Sequence, residues 1–472
     1  MNILDLPLEI VLQITDFLDS TDSVELSSCS RHFLSLRTYL FANNQRLVLK
    51  NDLKINSKFI WDIIGCVWIR YPENDDALNV HFDRLAAFSN IKEIQISYWQ
   101  PFNVESLCKL AHVQKIQLKS DGLKNFSTIS TLQSIKNLDL AYNKIPDISA
   151  LSSLVHLEKL SLVCDTECIT PLSNLIKLEE LDLSYSPISD ISALSKLDNL
   201  TTVKLNYTKV TNIEVLRNKK KLKVLQLNTS ASGTLRFSID PLQHLVNLVE
   251  LQLSGNGIAD ISFLSSLICL KKLRLDCNQI SDISPLNELV NLVELCLSNN
   301  NIEDVMVLSN LNKLQKLEMS QNNVSSITGF QKLVDLRILN LKRNRLIDIS
   351  PLARLDRLED LNLSYNNIQN CGAVSGMINL TCLELQSNKL SDISSLSELV
   401  NLQTLLLGNN CIEDIGPFTG LTEMVELDLK NNQIVDVKPL INFSKLIWLD
   451  MKSNPIENPN LLDGLQKCVF DY

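Results

Sequence analysis

An asparagine returns every 22 residues through the second half of this chain, and that spacing limits the fold more than any other feature of the sequence. It occurs without a slip at Asn256, Asn278, Asn300, Asn322, Asn344, Asn366, Asn388, Asn410, Asn432 and Asn454. A fixed period of this length indicates repeated supersecondary units, none of which can bury its apolar edge alone. The sequence therefore predicts a stacked solenoid instead of a set of separate globular domains.

Each repeat carries the same frame, as in the copy that begins at Leu273. Leu273 and Leu275 alternate with Arg274, which predicts a short strand whose leucines face the core while the arginine faces solvent. The asparagine follows, and its amide offers donors and an acceptor to backbone groups that the turn leaves unpaired. Ser284 and Pro285 then predict the N-cap and the first position of a short helical turn.

This LxxLxLxxN frame resembles the leucine-rich repeat. The resemblance implies an α/β solenoid, a leucine-rich-repeat horseshoe with a parallel concave sheet and a short helical or 3-10 convex side. From Ile94 onward the register predicts about 17 strands, so the repeats should occupy residues 93–457. Residues 458–472 carry Leu461, Leu465 and Cys468 at helical spacing, which predicts a C-terminal cap.

The segment of residues 43–92 fits the repeat only loosely. Two degenerate strands are expected at 47–49 and 67–69, which stand 20 positions apart instead of 22. Two interpretations remain open for this segment. It forms divergent repeats that continue the solenoid, or it is a linker subdomain unrelated to them.

Residues 1–42 lack the repeat period and carry helical patterns instead. Apolar residues at Ile10, Ile14 and Leu18 share one helical face, and two further helical stretches contain Val24 and Phe33. The pattern predicts a small three-helix unit, near the lower size limit for independent stability.

This unit resembles an F-box in the order of its residues: Leu6-Pro7, Glu9-Ile10, Ile14, Phe17-Leu18, Asp22, Val24, Leu26, Cys29, Arg31 and Phe33. Its place before leucine-rich repeats is similar to that in the F-box/leucine-rich-repeat proteins. The resemblance implies that residues 1–42 dock on a Skp-type adaptor, and through it on a cullin. The docking surface would then be formed by Leu6, Pro7, Ile10, Ile14, Leu18, Val24, Leu26 and Phe33. The competing interpretation is a helical cap over the open end of the solenoid.

The charge balance argues against nucleic acid as a partner. Acids exceed bases by 54 to 44, so the net charge is −10 and the sequence shows no basic stripe for phosphates. No apolar run is long enough to span a membrane, and the start of the sequence lacks the regions of a signal peptide. The 12 cysteines, among them Cys296 and Cys382 on strands, are expected to be reduced thiols. We therefore expect a cytosolic or nuclear protein that binds no membrane.

No arrangement of residues indicates catalysis, a cofactor or a metal site. The five histidines have no serine, cysteine or carboxylate at a repeated offset, and neither a dinucleotide-binding glycine motif nor a P-loop occurs. The aspartate of the recurring Asp-Ile-Ser is expected to be a turn or cap residue, as at Asp147, Asp190, Asp282 and Asp392. The sequence therefore predicts a protein that is not an enzyme.

Two functions remain open. The first, which the F-box resemblance implies, is the substrate-recognition subunit of an SCF-type (cullin–RING) E3 ubiquitin ligase, whose repeats hold an unidentified client protein. The second is a non-catalytic interaction scaffold. The Asp-Ile-Ser-Pro-Leu form of the repeat also resembles the repeats of a phosphatase regulatory subunit and of internalins.

Tyrosines mark the candidate client surface on the concave face. Five of the eight tyrosines occupy the residue just before the ladder position, where the repeating asparagine stands, and four of the five lie in the first half of the array. Stacking should bring these four into a row at one edge of the sheet, where exposed tyrosines are effective anchors. The candidate client-binding residues are Tyr98, Tyr142, Glu180, Asp182, Tyr185, Lys204 and Tyr207. If this row binds nothing, the surface is expected around Glu426, Asp428, Trp448 and Asp450.

Overall fold

The computed structural model describes residues 47–49, 66–70, 82–462 and 469–471, with gaps at 84, 88, 99, 121 and 231–236. The expected F-box, with every candidate adaptor-binding residue, lies outside the described residues. Contacts divide the chain into an N-terminal unit, Met1–Lys221, and a C-terminal unit, Leu222–Tyr472.

The described part of the N-terminal unit is built on a parallel sheet. Its strands are β1 (Leu47–Leu49), β2 (Cys66–Arg70), β3 (Glu93–Tyr98), β4 (Phe102–Asn103), β5 (Lys115–Ser120), β6 (Leu123–Lys124), β7 (Asn137–Ile145), β8 (Lys159–Cys164), β9 (Glu180–Asp182) and β10 (Thr202–Lys204). All pair in chain order except β4 and β6, which pair only with each other. The two degenerate strands expected between residues 43 and 92 are present, and Leu47 lies opposite Val67.

The described part of the C-terminal unit continues the same pattern with shorter strands. They are β11 (Val224–Gln226), β12 (Glu250–Gln252), β13 (Lys272–Arg274), β14 (Glu294–Cys296), β15 (Lys316–Glu318), β16 (Ile338–Asn340), β17 (Asp360–Asn362), β18 (Cys382–Glu384), β19 (Thr404–Leu406), β20 (Glu426–Asp428), β21 (Trp448–Asp450) and β22 (Val469–Asp471). Each pairs in parallel with the next. The segment expected to form the C-terminal cap thus contains a strand, which begins at Val469.

Short 3-10 helices connect the strands. In the N-terminal unit they are Val104–Leu110, Phe126–Thr131, Ser149–Ser153, Thr170–Asn174, Ser192–Lys196 and Glu214–Leu216. In the C-terminal unit they are Asp240–His244, Ser262–Ser266, Ser284–Leu286, Met306–Asn310, Phe330–Lys332, Ser350–Leu352, Gly372–Val374, Ser394–Leu396, Gly416–Gly420, Lys438–Leu440 and Pro459–Leu462. The predicted solenoid with a parallel sheet and few helices is confirmed.

The aspartate of Asp-Ile-Ser caps these 3-10 helices. Asp282 Oδ1 accepts from Ser284 N at 2.8 Å, and Oδ2 accepts from the Ser284 hydroxyl at 3.0 Å. The prediction of a serine N-cap is wrong at this point, because Ser284 is already the first residue of its helix and Ile283 occupies the N-cap position. The predicted cap role of the aspartate is confirmed.

The core is a stack of aliphatic side chains between the sheet and the 3-10 helices. Leu273, Leu275 and Ile280 are 0% exposed, and the equivalent residues of neighbouring repeats are equally buried. Full burial of one such side chain stabilises by about 1.5–3 kcal/mol. Because successive strand residues alternate in direction, the residues between the leucines lie on the opposite side, here called the outer face of the sheet.

Candidate functional site

The asparagine ladder determines the edge of the sheet at which the candidate tyrosines lie. Asn300 Nδ2 donates to Leu275 O and Leu297 O, both at 3.0 Å, and its Oδ1 accepts from Ile280 N at 3.0 Å. One amide thus joins two repeats. The same bonds recur from Asn278 to Asn454, which confirms the predicted role of this residue.

Other side chains take over part of this role in the N-terminal unit. At two ladder positions, Ser186 Oγ accepts from Cys164 N at 3.0 Å, and Thr208 Oγ1 donates to Leu205 O at 2.8 Å. Both residues are buried. Hydroxyl groups thus bond backbone groups at these two ladder positions, where asparagine does so in other repeats.

The residue before the ladder position, here called the rim slot, adopts a left-handed backbone conformation in most repeats. Its φ lies between 51° and 77° at Tyr185, Tyr207, Gly255, Cys277, Asn299, Gln321, Arg343, Tyr365, Ser387, Asn409, Asn431 and Ser453. Asparagine and glycine tolerate this conformation best, and for a bulky residue it is an outlier. Tyrosine in this slot therefore runs against the local backbone preference.

Tyr185 and Tyr207 form a stacked pair on the surface. Their ring centroids are 5.0 Å apart with an interplanar angle of 17°. The two residues are 67% and 48% exposed. The Tyr185 amide donates to Asn206 O at 2.8 Å, which fixes one rim slot against the neighbouring repeat. The sequence had predicted that these two tyrosines lie side by side, and they do.

Tyr98 and Tyr142 differ from the expectation of a common slot. Tyr98 is the last residue of β3, and Tyr142 lies inside β7, so neither occupies a left-handed turn. The reason at Tyr142 is that β7 and β8 continue to pair after a register shift between Leu140 and Lys144. The side chains of both tyrosines lie outside the described residues.

The predicted charged neighbours form ion pairs along the outer face of the sheet. Glu180 pairs with Lys159 at 2.5 Å, and Lys204 lies 3.9 Å from Asp182. Asp182 Oδ1 also accepts from the Ser184 amide at 3.0 Å. On the strands beside the tyrosine pair, the charged side chains are therefore paired with each other. The exposed aromatic rings are the groups there that remain available for a partner.

The alternative surface around Asp428 is more buried than its sequence indicated. Asp428 is 0% exposed. Gln386 Nε2 donates to its Oδ2 at 2.8 Å, and Gly408, which lies between them in the chain of repeats, has no side chain to block this bond. The Lys430 amide donates to Oδ1 at 3.1 Å, and the Lys430 ammonium lies 3.3 Å from Oδ2. Asp428 is thus a compensated bridge and not an exposed contact.

Three carboxylates on the same face stand apart, of which sequence reasoning had named Glu426 and had missed Asp360 and Glu384. Asp360, Glu384 and Glu426 form no ion pair with any described residue. Burial is the main cause that raises the pKa of Asp360 and of Glu384 above their usual values. Burial, followed by the charge of Asp360, raises the pKa of the Cys382 thiol to about 12. The signal that could have found them is the absence of a basic residue at the matching position of the next repeat.

The described part of the chain has neither a metal site nor an apolar helix of membrane-spanning length. No group of histidine, cysteine or acidic side chains there could hold a metal ion. The described cysteines are free, and burial raises the pKa of the Cys296 thiol to about 11. In the same residues, no helix combines the length and the apolar character needed to cross a bilayer.

Family models place leucine-rich repeats along this chain. The model of two-copy leucine-rich repeats matches residues 176–218, 246–288, 312–354 and 400–442, and a single-repeat model matches 358–375. Neither model is an F-box. The protein carries leucine-rich repeats, and no curated protein matches its sequence.

Solved structures show the same solenoid. The chain is similar to a leucine-rich-repeat protein of Leptospira interrogans, with 21% identity and a TM-score of 0.62 over 85% of this chain and 99% of that one. It is similar to the Arabidopsis receptor kinase HAESA, with 18% identity and a TM-score of 0.62 over 79% and 72%. The Drosophila Toll–Spatzle complex gives 16% identity and a TM-score of 0.60 over 90% and 68%. At these identities the likeness shows the fold alone; in the HAESA structure the receptor kinase is in complex with the peptide hormone IDA and the co-receptor SERK1.

Proposed function

We propose that this protein is a non-catalytic, protein-binding subunit whose repeats hold a partner protein at the rim slots of the N-terminal unit. One observation carries the proposal: Tyr185 and Tyr207 expose two stacked aromatic rings from left-handed backbone positions. Tyr98 and Tyr142, with Glu180, Asp182 and Lys204, are the further candidate contacts.

The turn itself does not require tyrosine. Asn299 and Ser387 occupy the same slot with the same backbone conformation in other repeats. A non-glycine residue in this conformation costs about 1–2 kcal/mol, and tyrosine lacks the short polar side chain that relieves this cost. Function, in our proposal, is what keeps tyrosine at 185 and 207.

A stacked tyrosine pair suits protein recognition physically. Each ring offers a large contact area and a hydroxyl, and only two side-chain torsions must be ordered on binding. The pair is already stacked in the free protein, so part of that entropy is lost before the partner arrives. The HAESA and Toll–Spatzle structures support the proposal by analogy of fold, because the first is a complex with a peptide hormone and the second is a complex of Toll with Spatzle.

We infer further that residues 1–42 join this subunit to a Skp-type adaptor and, through it, to a cullin. The whole chain would then act as the substrate-recognition subunit of an SCF-type ubiquitin ligase in the cytosol or the nucleus. The support is the F-box-like order of residues that begins at Leu6-Pro7 and stands directly before leucine-rich repeats. A scaffold without an adaptor is the alternative.

The partner site is tested by affinity purification with quantitative mass spectrometry. The chain with Tyr185→Ser and Tyr207→Ser should lose its main partner, because buried aromatic anchors typically contribute about 2 kcal/mol or more to an interface. The matched control is Tyr365→Ser, which alters the same slot in the C-terminal unit. Equal recovery of every partner by the double variant and the wild type would refute this site.

The adaptor role is tested separately by pulldown with a purified Skp-type adaptor. Changing Leu6 and Pro7 to alanine should abolish binding while the circular dichroism of the repeats is preserved. If the wild-type chain fails to bind the adaptor, or the double variant binds equally well, the ligase role is wrong. The scaffold alternative then replaces it, and the tyrosine site is unaffected.

A further inference from the structure

The outer face of β17, β18, β19 and β20 holds an unusual set of side chains. Asp360, Glu384 and Glu426 lie there on three different strands. The paired positions run Asp360, Cys382, Thr404 and Glu426 in one row across the sheet. With strands about 4.8 Å apart, the first and last acid of this row stand roughly 14 Å apart at their Cα atoms.

These three acids differ from most other acids on this face, which have basic partners. Glu294 lies 2.6 Å from Lys272, and Glu318 lies 3.2 Å from Lys316. No such contact exists in the described chain for Asp360, Glu384 or Glu426. Asp360 and Glu384 are half-buried, whereas Glu426 is exposed. For the first two, the lack of a cation in contact is unfavourable, because burial removes water and puts no counter-charge in its place.

Lys342 is the basic residue whose charge acts on Glu384, but its side chain makes no ion pair with that carboxylate and points toward Tyr365 instead. Its ammonium lies 5.6 Å from the centre of the Tyr365 ring, where Arg343 also stacks at 5.1 Å. Glu384 Oε2 instead accepts from Asn362 Nδ2 at 2.6 Å. Burial remains the largest influence and keeps the pKa of Glu384 raised, although the charge of Lys342 and the bond from Asn362 act in the opposite direction.

The strand between the acids provides an uncharged floor. On β19 and just after it, the outer-face residues are Thr404, Leu406 and Gly408. Leu406 is partly exposed although it is apolar. Glu384 on β18 and Glu426 on β20 lie on either side of this floor.

A buried hydroxyl on the same face also lacks a partner. Ser364 is 0% exposed, and its Oγ makes no hydrogen bond with any described residue. Leu361 and Leu363 are buried in the core, so the alternation of the chain directs Ser364 to the face that carries Asn362 and Glu384. This hydroxyl has unused donor and acceptor capacity on the face that carries the half-buried carboxylates.

The geometry points to a recognition site for an arginine side chain of a bound peptide segment, centred on Leu406 and lined by Glu384, Glu426 and Asp360. The aliphatic stem of the arginine lies over Leu406, and the guanidinium is directed toward the carboxylates. The Ser364 hydroxyl, buried on the same face and without a hydrogen-bond partner among the described residues, is a further acceptor.

An arginine fits this set better than other cations do. Its planar guanidinium has five N–H donors, which can serve carboxylates on two sides and a hydroxyl at once. A lysine ammonium is a compact, strongly hydrated charge that bonds fewer of these groups together. A metal ion would need acidic groups within one coordination sphere, whereas the acids here are spread over several strands.

The test uses the full chain with methyl-labelled leucine and a blocked pentapeptide that carries one central arginine. The Leu406 methyl signals should shift saturably in NMR spectra as the peptide is added. The same peptide with citrulline, which keeps the shape but not the charge, should cause no saturable shift. Equal shifts with both peptides would overturn the proposal.

Variants test the named carboxylates. The change Glu384→Gln should weaken binding of the arginine peptide at least about tenfold, because a charge-assisted bond is lost. Glu294→Gln, on the same face but paired with Lys272, is the matched control and should leave binding unchanged. Binding that survives Glu384→Gln and Glu426→Gln together would refute the site. The site goes beyond the proposed function, and this assay needs neither adaptor nor client, so either can fail without the other.

Discussion

Each ladder asparagine forms hydrogen bonds with backbone groups of two repeats. Its contribution to stability depends on which of these groups would be left unpaired without it. Asn278 Oδ1 accepts from Ile258 N at 3.0 Å and from Asn256 N at 3.1 Å. Asn278→Ala should therefore lower the free energy of unfolding by about 1–3 kcal/mol, because two buried amides lose their acceptor. Urea denaturation of the purified chain measures this loss.

Asn256 provides the control within the same ladder. Its Nδ2 donates to Leu227 O and Leu253 O, both at 2.9 Å, but its Oδ1 has no partner among the described residues. Leu253 O also accepts from Asn278, so it stays bonded without Asn256. Asn256→Ala should cost clearly less than Asn278→Ala. Equal losses would show that the amide acceptor is not the decisive group.

Glycine is required at position 408 because the Asp428 carboxylate lies directly against its backbone. A Cβ at this position would stand 2.8 Å from both carboxylate oxygens of Asp428, closer than real Cβ atoms approach. Asp428 is fixed by Gln386 and Lys430 and cannot withdraw easily. Gly408→Ala should therefore destabilise the chain by about 1–3 kcal/mol in thermal or urea unfolding.

Gly376, in the same unit, provides a control that distinguishes this clash from a general effect of replacing glycine by alanine. A Cβ at Gly376 would meet nothing within 4 Å. Gly376→Ala should be neutral or stabilise by up to about 1 kcal/mol, because alanine restricts the unfolded chain. If both variants lose the same stability, the contact with Asp428 does not explain the need for glycine at 408.

At the scale of the element, one repeat contacts mainly its two neighbours, so damage should stay local. Leu275 is 0% exposed between neighbouring repeats, and Leu275→Ala should cost about 2–5 kcal/mol. Hydrogen exchange should rise in strands β12, β13 and β14 before it rises in β20 and β21. Ile268→Ala, at a position 54% exposed, should change stability by less than about 0.5 kcal/mol. A uniform rise across the unit would contradict nearest-neighbour coupling.

The repeating elements were predictable because their cause is periodic. Alternation of Leu273, Arg274 and Leu275 predicts one strand, and the recurrence of this frame predicts parallel pairing at a shift of one repeat, as Leu273 opposite Leu295 shows. The capping aspartate was predictable in role, but its exact partner was not. Whether Asp282 or Ser284 caps the turn depends on backbone angles that the pattern does not contain.

The candidate sites were less predictable, because they depend on departures from the repeat. The stacking of Tyr185 and Tyr207 followed from their equal slot, but the extension of β7 through Tyr142 depends on local pairing with β8. The missing ion pair of Glu384 depends on where the neighbouring Lys342 side chain points. A rotamer of this kind is decided by packing and leaves no trace in the sequence pattern.

At the scale of the whole molecule, two groups of acids respond to pH in opposite directions. One group consists of the capping aspartates, whose carboxylates accept hydrogen bonds from the serine two residues later. The backbone amide of that serine has the larger effect and its hydroxyl the smaller. These aspartates are Asp147 and Asp190 in the N-terminal unit and Asp282 and Asp392 in the C-terminal unit. These bonds lower the pKa of each carboxyl below its usual 3.8. Burial raises the pKa of Asp360 above the same value.

The signs of the two contributions follow from linkage. A lowered folded-state pKa gives stabilisation that is complete above pH 3.8 and is lost as the pH falls through the lower folded value. A raised folded-state pKa gives the reverse. Asp360 weakens the fold as the pH rises from 3.8 through its raised value, and it stays unfavourable at neutral pH.

Melting curves between pH 7 and pH 2.5 test both signs. A variant with all four cap aspartates changed to asparagine keeps the neutral acceptors but loses the charges. It should melt below the wild type at pH 7 and approach it at the acid end, with a modest gap because exposed charges are screened. Asp360→Asn should melt above the wild type at pH 7 and lose that advantage as the pH falls below about 4. If the Asp360 variant instead melts lower at pH 7, its carboxylate has a stabilising partner and is not an uncompensated charge.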